Sequence, residues 1–276
     1  MKIFNGKEEA DKILADLGLK TAGLDSKPGL AVILAGDNPE SKIYINLKKE
    51  AAKKIGINFF EYYFKETAKE KEIIDKIESL NKDNSINGIL VQLPLPNSFN
   101  VEEIIGAIES IKDVDGFNSA DLPPVLPSVI LFILLKKAGV NELRKKKILA
   151  LVSSDFFGNH LKDFLNAKGI QSDYLILNES RVEEISKRTI KADIIITACG
   201  KPGLIKGEMV KEAVVLIDAG FTRSADGKIR GNVDKESVKA KASFLTPVPG
   251  GVGPLTVAFL LKNVYLSFKL GERVIG

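Results

Sequence analysis

The sequence predicts an α/β protein: an N-terminal parallel-sheet domain, a second α/β domain, and a C-terminal helix that packs back on the first domain. Three observations point there. Apolar strands alternate with amphipathic helices in both halves of the chain, three prolines interrupt the alternation within residues 121–127, and a glycine–proline loop precedes a long final helix. At 276 residues the chain is also long for one simple core, so two domains are expected.

Gly29 to Ala35 is a continuous apolar run closed by Gly36-Asp37-Asn38-Pro39, the pattern of a buried parallel strand. Ile43, Leu47, Ala51 and Ile55 recur every four residues and predict the apolar face of a helix that Gly56 stops. Residues 57–64 read as an aromatic strand, 69–80 as an amphipathic helix, 86–91 as a strand broken at Gln92-Leu93-Pro94, and 101–111 as a helix. That order implies a parallel sheet covered on both faces. Residues 121–127 are the candidate linker, and the apolar run Val125 to Leu135 reads as a buried helix. Strand 148–152, helix 161–168, strand 174–177, helix 182–189 and strands 193–198 and 214–219 form the second alternation, and the last helix spans 255–270. The expected domains are 1–120 together with the C-terminal helix 255–276, and 121–254.

Composition excludes several classes. Forty basic against thirty-six acidic residues leave a formal charge of +4. Lys145 to Lys147, the only compact basic run, reads as a solvated turn before a strand rather than a nucleic-acid patch, while the mild positive bias suits anionic small molecules. No stretch reaches the roughly 18 uninterrupted apolar residues of a membrane span, and the first residues do not read as a signal peptide. A cytoplasmic protein with neither nucleic acid nor membrane as partner is expected. The single cysteine, Cys199, rules out an intramolecular disulfide and reads as a small buried hydrophobe; His160 reads as a surface or capping residue. His, Cys and carboxylates nowhere cluster at metal-ligand spacing.

The chemistry concentrates at strand ends. Ser41, Tyr44 and Lys48, spaced three and four apart, share one side of the first crossover helix, bordering the Ile43/Leu47 face. Such a helix starts at the C-terminal edge of a parallel sheet, where α/β ligands bind. A lysine partly desolvated there loses proton affinity and acts near neutral pH. Alone, Lys48 reads as a solvated helix lysine and Asp115-Gly116 as a plain turn. Gln92, at a strand end fixed by prolines, and the carboxylates of Lys112 to Asn118 bring an amide and an acid to the same edge. The run TPVPGGVGPLT, residues 246–256, cannot form regular structure and suits a rigid loop that lets backbone approach a ligand.

Together, SxxYxxxK at 41–48, VQLPLP at 91–96, KDVDGF at 112–117, ADIIITACGKPGLI at 192–205, VLIDAGF at 215–221 and TPVPGGVGPLT resemble the methylenetetrahydrofolate dehydrogenase/cyclohydrolase family, in order and over nearly the whole chain. The resemblance implies a folate cleft between the first domain, with the last helix, and a Rossmann domain. It implies Lys48 as the central catalytic group, Gln92 orienting it, Tyr44 stacking on the folate rings, Asp115 holding the pterin's donor edge, and Leu93, Gly250 and Gly251 along the substrate. The implied reactions are hydride transfer from 5,10-methylenetetrahydrofolate to NAD or NADP, then hydrolysis of the methenyl cation to 10-formyltetrahydrofolate. A homodimer is implied as well.

The chain departs from that pattern at the nucleotide. The family's VGRSxxVGxP corresponds to residues 151–160, LVSSDFFGNH, where Val152 replaces a glycine, Ser153 replaces an arginine, and Ser154 and Gly158 match. Gly200 and Thr222 complete the expected dinucleotide contacts. Glu179, about twenty residues past the loop, argues for NAD by engaging a ribose 2′-hydroxyl, and Arg181 for NADP by pairing with a phosphate. Both cofactors stay open. Residues 124–129 lack the family's cysteine, threonine and glycine, and its usual GDVD reads Gly231-Asn232-Val233-Asp234. Two alternatives stand beside the bifunctional enzyme: a cyclohydrolase with weak or lost dehydrogenase activity, and a non-catalytic nucleotide-binding regulatory protein.

Overall fold

A computed structural model describes residues 1–177, 182–224 and 227–275, and among these residues lie eleven strands and ten α-helices, most of them on the apolar runs and amphipathic segments of the sequence. The strands are β1 (Lys2–Ile3), β2 (Gly29–Ala35), β3 (Asn58–Phe64), β4 (Gly88–Val91), β5 (Ile148–Val152), β6 (Ser172–Ile176), β7 (Ile194–Ala198), β8 (Val215–Asp218), β9 (Thr222–Arg223), β10 (Ile229–Arg230) and β11 (Phe244–Leu245). The helices are α1 (Gly6–Ala22), α2 (Pro39–Lys54), α3 (Glu70–Asn81), α4 (Val101–Gly106), α5 (Val125–Lys137), α6 (Val140–Leu143), α7 (Asp155–Ala167), α8 (Val182–Thr189), α9 (Lys235–Val238) and α10 (Val252–Ile275). They divide between a first unit, residues 10–126 and 256–276, and a second unit, residues 1–9 and 127–255.

In the first unit β2 lies between β3 and β4, parallel to both. Every residue of β2 is buried, which is why its sequence is apolar without alternation. Leu30, Val32 and Leu34 fill a core on one face with Ile45, Ala52 and Leu90, while Ala31, Ile33 and Ala35 fill the other with Ile73, Ile77 and Ile89. Helix α10 closes the first of these cores with Val257, Leu260, Leu261 and Val264. The same helix braces a loop: buried Asn263 donates from Nδ2 to the carbonyls of Val114 and Pro123, each at 2.9 Å, and Ser267 Oγ donates to the carbonyl of Ile111 at 2.7 Å.

The face of α2 differs from the sequence expectation. Its buried residues are Ser41, Ile45, Lys48 and Ala52, and Leu47 is 51% exposed. At about 100° per residue, a strict spacing of four advances about 40° at each step, so Ile43, Leu47, Ala51 and Ile55 spiral across about 120° of the surface. Spacings of four, three and four keep the other set within about 60°. Gly56 does end the helix region, at φ +72°.

The second unit holds a six-stranded parallel sheet in the order β1-β11-β8-β7-β5-β6, and β9 and β10 form a separate antiparallel pair. Residues 1–9, expected in the first domain, belong here: β1 pairs in parallel with β11 at Lys2↔Phe244 and Ile3↔Leu245. Two exposed residues carry no periodicity, so neither β1 nor the short β11 shows in the sequence. Helix α7 starts at Asp155 rather than 161 because the Ser154 side chain caps it by accepting the Phe157 N–H. The 101–111 segment is α4 followed by a 3₁₀ turn at Ser110–Lys112. Among the described residues no helix is long and apolar enough to cross a membrane.

Replacing Asn263 by Ala leaves the buried Val114 carbonyl and the partly buried Pro123 carbonyl without that donor. The expected loss is on the order of 1–3 kcal/mol of unfolding free energy, read from urea midpoints; an unchanged midpoint would show that α10 does not depend on this clamp.

Candidate active site

Helix α2 begins where Asn38 caps the backbone N–H groups of Glu40 and Ser41, directly after the C-terminal end of β2. Three turns along, Lys48 points into the first unit, where its Nζ donates to Gln92 Oε1 at 2.6 Å. Gln92 follows β4; its backbone N–H donates to the Ile33 carbonyl at 2.8 Å and its Nε2 to the Leu93 carbonyl at 2.7 Å. Spending the amide N–H on Leu93 turns the amide oxygen toward Lys48. Lys48 is 8% exposed. Burial pulls its pKa from 10.5 down to about 8, against the opposing pull of the Asp115 charge. Asp115 moves the other way, from 3.8 up to about 6, by burial first; Lys48 lowers it and Asp113 raises it. One turn before Lys48, half-buried Tyr44 is pushed up to about 12 by burial, with Glu40 adding to it. Ser41, on the Lys48 face, is buried with its hydroxyl unpartnered.

Asp115 owes its place to a turn the sequence treated as ordinary. Buried Asp113 accepts the N–H groups of Gly116 at 3.1 Å and Asn118 at 2.5 Å, and burial raises its pKa. Gly116 sits at φ +78°, and a Cβ there would lie 2.7 Å from the backbone of Pro123 and Pro124. The Asp115 carbonyl accepts the Val125 N–H at 2.9 Å, tying the turn to α5. Asp113 is the positioning residue that sequence reasoning missed; its signal was an aspartate three residues before a glycine, in the spacing of a side chain that caps its own turn.

In the second unit, α7 follows β5 after two residues, Ser153 and Ser154, so a helix N-terminus faces the C-terminal edge of a parallel sheet. Val152 is fully buried as the last residue of β5, and Ser153 is exposed. Gly158 allows close helix–strand packing: a Cβ there would lie 2.6 Å from the Tyr174 ring. Gly200, at φ +66°, turns the chain after β7, and its carbonyl accepts the Thr222 hydroxyl at 3.4 Å. Gly250 accepts the Lys7 N–H at 3.1 Å, and Gly251 donates to the Pro247 carbonyl at 2.8 Å, closing the glycine–proline loop. These features fit a dinucleotide phosphate at the sheet edge. Glu179 and Arg181 lie outside the described residues. Cys199 is buried, which raises its thiol to about 11, and His160 Nδ1 bonds the Phe156 carbonyl within α7 at 2.6 Å.

The model of the tetrahydrofolate dehydrogenase/cyclohydrolase catalytic domain matches residues 4–115, and that of the NAD(P)-binding domain of the same enzymes matches residues 124–271. The chain belongs to the tetrahydrofolate dehydrogenase/cyclohydrolase family. It is similar to the bifunctional protein FolD of Acetivibrio thermocellus, at 39% identity over 99% of each chain, and to that of Ruminiclostridium cellulolyticum, at 40% identity over 98% of each. Among solved structures, FolD of Campylobacter jejuni superposes with a TM-score of 0.85 at 35% identity, over 98% of this chain and 99% of that one. FolD of Trypanosoma brucei, solved with NADP cofactor and an inhibitor, gives 0.88 at 27% identity, over 99% and 98%. As a family member with both domains, the chain is a methylenetetrahydrofolate dehydrogenase and methenyltetrahydrofolate cyclohydrolase with an NAD(P)-binding domain. The non-catalytic alternative is thereby set aside.

A buried lysine with a lowered pKa weakens the fold wherever the unfolded lysine is charged. Below pH 8 the deficit is complete, and it vanishes as pH rises from about 8 to 10.5. Lys48→Met is therefore expected to unfold at higher urea than the parent at pH 7, by up to about 3 kcal/mol. The gain shrinks at alkaline pH; a gain independent of pH up to 10.5 would contradict the burial argument.

Proposed function

We propose that Lys48 is the proton acceptor of the cyclohydrolase step, carried by one observation: its Nζ is buried, bonded to Gln92 and poised near neutral pH beside Asp115. The substrate of hydrolysis is a cation. A protonated ammonium would repel it, whereas a neutral amine accepts a proton from water as the new C–O bond forms at the methenyl carbon. The C–N bond then opens as the new hydroxyl gives up its proton to form the formyl C=O, the ring nitrogen takes up a proton, the ammonium of Lys48 returns its own to solvent, and 10-formyltetrahydrofolate results. Gln92 orients the amine, Asp115 accepts the pterin's N–H donors, Tyr44 stacks on the rings, and Leu93, Gly250 and Gly251 line the substrate. Val152, Ser153, Ser154, Gly158, Glu179, Gly200 and Thr222 hold the dinucleotide. When bound, it supplies the hydride acceptor for the methylene bridge. A homodimer in the cytoplasm completes the proposal on family resemblance.

Asp155 favours a second reading, a cyclohydrolase with weak dehydrogenase activity, because it adds a carboxylate to the first turn of α7, where it opposes an anionic phosphate. Absorbance at the nicotinamide wavelength after addition of methylenetetrahydrofolate separates the two.

Lys48→Met is expected to abolish hydrolysis while the circular dichroism of the fold is retained, a loss of at least about 10²–10⁴ in rate for a removed acid–base group. In the parent, hydrolysis should rise with pH as Lys48 deprotonates, levelling above about 8; near-normal hydrolysis by the variant, or a flat profile, would remove Lys48 from this role. For the cofactor, Ser153→Arg is expected to shift turnover toward NADP when the two dinucleotides are compared at equal concentration, since a guanidinium pairs with a 2′-phosphate. An unshifted ratio would mean that residue 153 does not face the ribose.

A further inference from the structure

Asn232 stands where the family-type GDVD pattern carries an aspartate, and it is wholly buried. Its Oδ1 accepts the backbone N–H of Cys199 at 3.2 Å, and its Nδ2 donates to the carbonyl of Lys201 at 3.0 Å. One amide thus spans the turn centred on Gly200. The backbone of Asn232 is pinned in turn: its N–H donates to Asp218 Oδ1 at 3.0 Å and its carbonyl accepts the Ile205 N–H at 2.9 Å. Asp218, buried at the end of β8, also accepts the N–H groups of Gly220 and Val233, each at 2.9 Å, and the Thr197 hydroxyl at 3.0 Å. Its own N–H donates to the Thr246 hydroxyl at 2.7 Å.

We propose that Asn232 is a positioning residue for the nicotinamide dinucleotide, holding the Cys199–Lys201 turn at the C-terminal end of β7 in the shape that receives it. The inference rests on the reading of Gly200 as a dinucleotide contact. Bridging an N–H and a carbonyl requires a side chain that both accepts and donates, which an amide does and an ionised carboxylate does not. An amide also avoids a second buried negative charge beside Asp218, whose carboxyl is already raised by burial. Without the bridge, a donor and an acceptor flanking Gly200 lose their buried partners, and the turn is free to re-form around other ones. Gly200 itself cannot restrain the turn, because glycine occupies its φ of +66° without preference for it.

Asn232→Ala and Thr197→Val test this against the parent, by calorimetric titration with NAD and with NADP and by thermal unfolding. Thr197 bonds the same Asp218 carboxylate but does not span the turn, so it reports what a merely structural loss does. The expected result is a Kd raised about tenfold in Asn232→Ala and unchanged in Thr197→Val, although both lower Tm. An unchanged Kd in folded Asn232→Ala, or equal increases in the two variants, overturns the proposal. If Asn232→Ala does not fold, Asn232→Ser, too short to span the turn, is judged by the same criteria. A parent that binds neither dinucleotide overturns the Gly200 reading and this proposal with it; a parent that binds, beside an Asn232 variant that binds equally, overturns the proposal alone.

Discussion

A lysine reaches a pKa near 8 only where water is kept from its ammonium and no carboxylate restores the lost hydration in full. Lys48 meets both conditions. It lies on the buried face of α2, its ammonium donates to a neutral amide, and Asp115 is close enough to oppose the shift without cancelling it. The remaining parts of the first unit serve this balance. Prolines after β4 and the Leu93 carbonyl fix Gln92, Asp113 and Gly116 fix Asp115, and the length of α2 fixes the distance from the sheet edge to the amine.

That balance also explains why α10 belongs with the first unit. The helix does more than cover apolar surface. Asn263 and Ser267 bond backbone carbonyls at Val114, Pro123 and Ile111, on both sides of Asp115, so a segment more than a hundred positions away in sequence sets the rigidity of the carboxylate's turn. A carboxylate with a pKa near 6 needs such restraint, since a mobile turn would let it relax into water and revert to an ordinary acid.

The second unit solves a different problem with similar means. Its sheet ends in loops that must present backbone to a ligand, and the buried carboxylate of Asp218 organises them by gathering N–H groups from Gly220, Asn232 and Val233. The carboxylate accepts enough donors to be tolerated in the interior, and each donor brings a different stretch of chain to the end of β8.

Strong periodicity was legible in the sequence. The β2 run, the Gly56 stop, helix α8 and strand β5 follow from apolar pattern and terminators alone, and the motif strings pointed to the family by resemblance. Short or exposed elements were not legible: β1 and β11 are two residues each, held by partners distant in sequence, and no local signal marks them. The α2 face was misjudged because identity and spacing favoured Ile43 and Leu47, while the sheet beneath selected Ser41, Ile45, Lys48 and Ala52. Sequence by itself determined the family and the elements that hold the candidate residues. Only the tertiary structure decided that Lys48 is buried and Leu47 is not, for a pKa depends on the dielectric surroundings, and those come from chain segments that no local window contains.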